Sequence, residues 1–218
     1  MGRVLAPETL RKAWPQVKAN HGAPGVDGMT IEECPAVARD HWPSIRQAVR
    51  DETSQPAPVR RTEIPKRHGQ GKGLLGSPPV VARGIPQAMA QVLGALCDPD
   101  FSASSFGFRP GRSAHQAVKH IQSYIQAGYR VAVDMDLAKF FDRVNHEALL
   151  ARVARKVRDK ALRRWMGKYL RAGVVVGEDL QPTETGVPQG SPLSPLWSNV
   201  RLDDWEQERE RRGHRFAR

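Results

Sequence analysis

Between Gly128 and His146 the apolar pattern of the chain changes period, and this change constrains the fold more than any other feature. Upstream, Ala117, Ile121, Tyr124 and Ile125 recur at helical intervals behind Ser113 and Gln116, which have the spacing of a capping box. The run YRVAVDM (129–135) then alternates and reads as a strand. Helical patterns return over 146–157 and 159–171, and VVV at 174–176 reads as a short strand. After a Gly/Pro-rich turn at 186–192, Leu193, Leu196, Trp197 and Val200 step at i, i+3, i+4, i+7, the mark of a helix with one buried face. A few strands among helices, without regular βαβ alternation, predict an α+β fold.

The first hundred residues are less regular. Residues 7–20 read as a helix interrupted or kinked by Pro15, followed by the loop chemistry of GAPGVDG (22–28). Thr30 and Glu33 have capping-box spacing and open a second helix, which Pro43 is expected to bend or break. The proline- and glycine-rich stretch 51–80 predicts extended segments and turns outside the core. Residues 86–97 read as a helix with Pro86 in its first turn.

Composition narrows the function classes. Lys and Arg total 34 against 23 Asp and Glu, a net charge of +11 with pI about 10.2, which favours polyanionic partners: nucleic acid first, an acidic membrane surface second. No apolar run approaches the roughly 20 residues of a membrane span. The opening MGRVLAPETL lacks the apolar core of a secretion signal. Cys34 and Cys97 are the two cysteines, far apart, so a disulfide scaffold or a cysteine-type zinc site is excluded and a cytoplasmic location is expected.

The chemistry concentrates in VDMDLAKFFDRVNH (133–146). On a strand, Asp134 and Asp136 would share one face and Val131 and Val133 the other. A carboxylate at a strand end, followed by a turn with outward amides, can hold Mg2+ against a triphosphate; the ion takes only one or two protein carboxylates. Spacing alone equally describes two solvated strand-end aspartates.

The wider context decides between these readings. AWPQVKANHGAPGVDGMT (13–30), VRRTEIPK (59–66), FSASSFGFRPGRSAHQAV (101–118), VDMDLAKFFDRVNHEAL (133–149) and GVPQGSPLSPLWSNVRLD (186–203) stand in the order and spacing of the group II intron reverse transcriptases, the intron-encoded maturase family, which the chain resembles from about Leu10 onward. The resemblance implies a right-hand polymerase: mostly helical fingers and a palm whose antiparallel sheet is backed by helices. It divides the chain into an N-terminal extension and fingers (1–58), fingers with the template-binding block (59–128) and partial palm (129–218).

It also implies site residues. Asp136 matches the first metal-binding aspartate, and Leu137 would offer its backbone carbonyl to the same Mg2+. Lys139 and Phe140 lie where the turn approaches the triphosphate. Phe141 lies where an aromatic ring excludes a 2′-hydroxyl. Gln189 and Gly190 match the Pro-Gln-Gly turn beside the incoming nucleotide, and Lys66 a fingers lysine directed at the triphosphate. Phe108, Arg109 and Pro110 lie in the block lining the template path. Asp142, His115, His120 and His146 read as structural or solvated.

Two departures accompany the matches. The chain ends at GHRFAR, where the family continues into a Tyr-Ala-Asp-Asp hairpin with two further catalytic carboxylates, then a thumb and maturase region. Gly73 stands where the family has a triphosphate-gripping arginine, whose fork of donors glycine cannot replace. The expected function is RNA-directed DNA polymerisation for a mobile intron, with binding of intron RNA, aid to splicing and retrohoming. Expected partners are an RNA template, intron RNA, a DNA primer or target, deoxynucleoside triphosphates and a possible partner chain supplying the palm hairpin and thumb; no membrane is expected. The chain alone reads as an inactive fragment. A non-catalytic RNA-binding module and one half of a split reverse transcriptase are the alternatives.

Overall fold

The computed structural model describes every residue except 21, 66–71 and 189. Among the described residues, seven α-helices and four strands follow in the order α1 (Pro7–Ala19), α2 (Cys34–Arg50), β1 (Val59–Pro65), β2 (Lys72–Ser77), α3 (Val80–Cys97), α4 (Ala114–Gln126), α5 (His146–Lys156), α6 (Lys160–Leu170), β3 (Val174–Val176), β4 (Asp179–Gln181) and α7 (Ser194–Arg211). The class is α+β, as expected.

Several helix starts follow directly from local chemistry. The Ser113 hydroxyl accepts from the Gln116 amide, while the Gln116 side chain accepts from the Ser113 N–H at 2.7 Å, closing a reciprocal box on α4. Asn145 caps α5 by accepting from Ala148 N at 2.8 Å, and Asp159 caps α6 through Leu162 N at 2.9 Å. Thr30 and Glu33 also form their box, with Thr30 N donating to Glu33 Oε2 at 2.9 Å; a turn intervenes before α2 begins at Cys34.

The prolines do not break their helices, and Pro86 does not stand in a first turn. Pro15 and Pro43 both lie inside continuous helices. Helix α3 starts at Val80, six residues before Pro86, which is interior. A missing amide and a ring clash weaken a helix locally. Burial of Ala13 and Val17 in α1, and of Ala88, Met89 and Leu93 in α3, offsets that cost, and these two helices pack together. The main core gathers Met89, Leu149, Met166, Leu193 and Trp197 from α3, α5, α6 and the start of α7.

The extended segments expected in 51–80 form strands, but this stretch also reaches the core, with Val59 and Val80 buried. β1 and β2 form an antiparallel pair, β1 continues in parallel with β3 through Val59–Val174, and β3 pairs antiparallel with β4, giving the order β2-β1-β3-β4. The sheet is small and mixed. It joins the expected fingers segment to the expected palm segment, and Val59 is buried in it.

The strand expected at 129–135 is not formed. Val131 and Val133 are 87% and 81% exposed, and no described strand pairs with this segment. Alternation prepares a face for burial, but a strand also needs a ladder partner for its backbone groups.

Candidate functional site

Two turns, about 45 residues apart in sequence, meet over the core. The first is Leu137–Asn145. Phe140 N donates to the Leu137 carbonyl at 3.2 Å, and Asp142 N to the Lys139 carbonyl at 3.0 Å. Lys139 takes a left-handed conformation with φ 52°, and a 3-10 turn spans Phe140–Arg143. The Phe140 and Phe141 rings meet edge to face, with centroids 5.5 Å apart, and both lean half-buried on the core.

The second turn carries Thr185–Pro188 and, past residue 189, Gly190 and Ser191. Val187 N donates to the Phe141 carbonyl at 2.7 Å and Gly186 N to the Val144 carbonyl at 2.8 Å, while Asn145 and Thr185 form an isolated bridge. Buried His146 places Nε2 2.6 Å from the Gly186 carbonyl, as donor to it. Gly186 sits at φ +88°, where a Cβ would stand 3.0 Å from the carbonyl oxygens of Phe141 and Asp142; the close approach requires glycine. Below, the Tyr169 hydroxyl and Ser191 Oγ lie 3.0 Å apart, and burial pushes the Tyr169 hydroxyl pKa up to about 12. Tyr169 stacks on Trp165 at 5.4 Å.

A cleft of about 170 Å³ opens where these turns face the sheet, lined by Arg61 and Gly76 from β1 and β2, and by Asp142, Thr185, Gly186 and Pro188. Arg61, Gly186, His146 and Tyr169 are members of this region that the sequence reading did not assign. Arg61 lies in the same basic block as Lys66, and that block was the available signal; nothing local marks Tyr169 or His146.

The expected residues fall out unevenly. Lys139, Phe140 and Phe141 lie on the first turn, and Gly190, at φ +93°, on the second. The Leu137 carbonyl accepts the turn hydrogen bond just described. Lys66 and Gln189 lie outside the described residues. Asp136 is exposed, and no cluster of three His, Cys, Asp or Glu side chains able to hold a metal occurs among the described residues. Among the described residues, Asp136 is therefore not part of a cluster of three such side chains. Gly73 pairs with Ile64 across the β1–β2 ladder.

The side chains of the expected template block divide between outside and inside. Phe108, at φ 54°, is 72% exposed, and Pro110 is exposed beside it. The Arg109 side chain turns inward and is only 5% exposed. Its Nε donates to Asp98 Oδ1 at 2.7 Å, and its two terminal nitrogens reach the carbonyls of Ser102, Ser105 and Asp98. The guanidinium braces the loop that presents Phe108. His120 is likewise structural, 2.6 Å from the Tyr124 hydroxyl.

Comparisons with known proteins place the chain in a family. The family described as reverse transcriptase (RNA-dependent DNA polymerase) matches residues 64–216. Protein YkfC of Escherichia coli (strain K12) is 31% identical over 210 residues, which cover 94% of this chain and 55% of that protein. Group II intron-encoded protein LtrA of Lactococcus lactis subsp. cremoris is 30% identical over 204 residues, 94% of this chain and 34% of that protein. The chain thus spans about half the length of the first relative and a third of the second. One chain of a solved partial Cas6-RT-Cas1–Cas2 complex superposes with a TM-score of 0.61 at 24% identity, over 95% of this chain and 34% of that one. At that identity the likeness speaks for the fold alone.

Proposed function

This chain belongs to the reverse transcriptase (RNA-dependent DNA polymerase) family, and from that premise we propose that it is the fingers and upstream palm of a group II intron reverse transcriptase. The whole protein would extend a DNA strand on RNA from deoxynucleoside triphosphates, and would bind its intron RNA to aid splicing and retrohoming. The observation that carries this reading is the joining of the Phe140–Arg143 turn to Thr185–Pro188 beside a cleft, lined on that side by Asp142, Thr185, Gly186 and Pro188 and on the other by Arg61 and Gly76 of β1 and β2. A pocket with Arg61 on one wall and the polar backbone of two turns on the other suits a nucleotide, with its phosphates toward Arg61.

In this reading Phe141 forms the wall beneath the sugar, Gly190 and Gln189 flank the base, and Lys66, Lys139 and Phe140 face the triphosphate. Phe108 and Pro110 contact the template, with Arg109 holding their loop in place. Residues 1–58, 59–128 and 129–218 are the extension, template-binding fingers and palm. The family uses a divalent metal, Mg2+ in our reading, which supplies charge neutralisation of the phosphates; Asp136 would provide one carboxylate toward it. Further carboxylates must come from elsewhere, whether from this polypeptide or from a partner chain.

The test is a chimaera joining this chain to the part of LtrA beyond its aligned segment. Primer extension on an RNA template with deoxynucleotides is expected, abolished by Asp136→Ala. In Phe141→Ala, extension should persist while the ratio of kcat/KM for ribo- over deoxynucleotides rises, because deleting a clash relaxes substrate choice. A folded chimaera that binds RNA but never extends a primer would overturn the catalytic reading. It would select an RNA-binding module without catalysis.

A further inference from the structure

Helix α6 carries a stripe of cations opposite the face that it buries. Lys160, Arg163, Arg164, Lys168 and Arg171 fall at i, i+3, i+4, i+8 and i+11, within roughly 140° of one another at 3.6 residues per turn. They line a groove of about 630 Å³ between α5 and α6, whose other wall is Leu150, Ala151 and Ala154. Small residues keep it open. At Gly167, in the α6 wall, a Cβ would stand 3.2 Å from Arg171 Nη1 and 3.5 Å from Leu150 Cδ1. Among the described residues no carboxylate lines the groove.

Three of the five cations have partners. Arg164 pairs with Glu52, Lys168 Nζ donates to the Glu52 and Ser54 carbonyls at 2.6 and 3.2 Å, and Arg171 reaches the Gly167 carbonyl at 3.4 Å. Lys160 and Arg163 have none among the described residues, and the Arg163 Nε is buried without an acceptor. A buried guanidinium N–H left unpaired is costly, and because Arg163 lines the groove, its unpartnered guanidinium can turn to an anion seated there.

We propose that the α5–α6 groove binds the phosphate backbone of double-helical RNA, at a surface that shares no lining residue with the nucleotide cleft. The proposal rests on the reading above that this chain works on RNA. From Lys160 to Arg171 the stripe runs about 16 Å, too long for one phosphate and suited to a polymer. No aromatic side chain lines it, so bases have nothing to stack on; single strands need such platforms, whereas duplex RNA is held through shape and phosphates. A lipid surface would want exposed apolar residues beside the cations, and neither α5 nor α6 carries a large exposed hydrophobic side chain.

The test uses the full 218-residue chain and fluorescence anisotropy with a labelled RNA stem-loop, a single-stranded RNA and a DNA duplex of equal length. The variant Lys160→Gln/Arg163→Gln is compared with Arg11→Gln/Lys12→Gln, which removes the same charge from α1, where both side chains are exposed. Stem-loop affinity should fall about tenfold or more in the groove variant only, and the slope of log K against log salt should shrink by about 0.9 per lost phosphate contact. Lys160→Gln alone changes one exposed residue and should give about half that slope change, which keeps the test open if the double variant folds poorly. Equal losses in both double variants, unaltered stem-loop binding in the groove variant, or DNA duplex bound and weakened just as RNA is, would each overturn the groove assignment. Displacement of the stem-loop by acidic vesicles in the wild type but not in the groove variant would assign the groove to lipid and overturn it too. Binding of single-stranded RNA but no stem-loop removes this inference and leaves the function standing; failure to bind any RNA removes both.

Discussion

Gly186 shows how much one residue can decide. Its φ of +88° and the 3.0 Å approach of two carbonyl oxygens to the place of a Cβ leave no room for a side chain. Gly186→Ala is expected to cost about 1–3 kcal/mol in urea unfolding; an unchanged midpoint would show that the two turns separate freely. His146 holds the same junction from beneath. Burial depresses its pKa most, the positive charge of Arg171 adds to that, and the Gly186 hydrogen bond opposes it. Neutral His146 is therefore the folded form, and the unfolded chain takes up its proton first. The stabilisation is complete above the unfolded pKa of about 6.5 and is lost as pH falls through the lower folded value. Between pH 7.5 and 5, the wild type should lose more stability than His146→Gln, which keeps an N–H donor and does not titrate. Parallel pH profiles for the two proteins would sink this assignment.

At the scale of elements, α4 is built locally and covered sparsely. Its capping box is complete, yet it buries no residue, and Val118 and Ile125 are 57% and 58% exposed. Its apolar rows were legible in sequence, because period 3.6 is a local property. Whether a neighbour covers them is not local. The helix should thus respond to its cap more than to its outer face. Ser113→Ala should cost about 1 kcal/mol, while Ile125→Lys should stay within about 0.5 kcal/mol in thermal melts. A large loss in Ile125→Lys would reveal packing on that face. The 129–135 segment makes the same point for strands, with its alternation intact and its ladder unformed.

Over the whole molecule, charge and exposed apolar surface oppose each other. The net +11 keeps copies apart at low salt. Val131, Val133 and Ile125 nevertheless present apolar surface of the kind that promotes association. Sedimentation should show self-association growing with concentration and with salt, as screening weakens the repulsion. Val131→Lys/Val133→Lys should restore the monomer. A wild-type chain that stays monomeric at high salt would contradict this.

The family and the identity of the aromatic turn were readable from the sequence alone, because five blocks of residues carry them in order whatever the packing. Helix caps at Ser113, Asn145 and Asp159 form through contacts three residues away, so local chemistry suffices for them. Tertiary structure decided where long side chains point. Arg109 sits in a block that implies template contact, yet four acceptors within eleven residues, brought together by the turn, draw its guanidinium inward. It also decided that Pro15, Pro43 and Pro86 remain inside helices, since the packing of those helices outweighs a local preference. The parallel pairing of Val59 with Val174 and the joining of Phe141 to Val187 link residues far apart in sequence. Such contacts depend on the closure of the whole chain around its core, which no short window of residues contains.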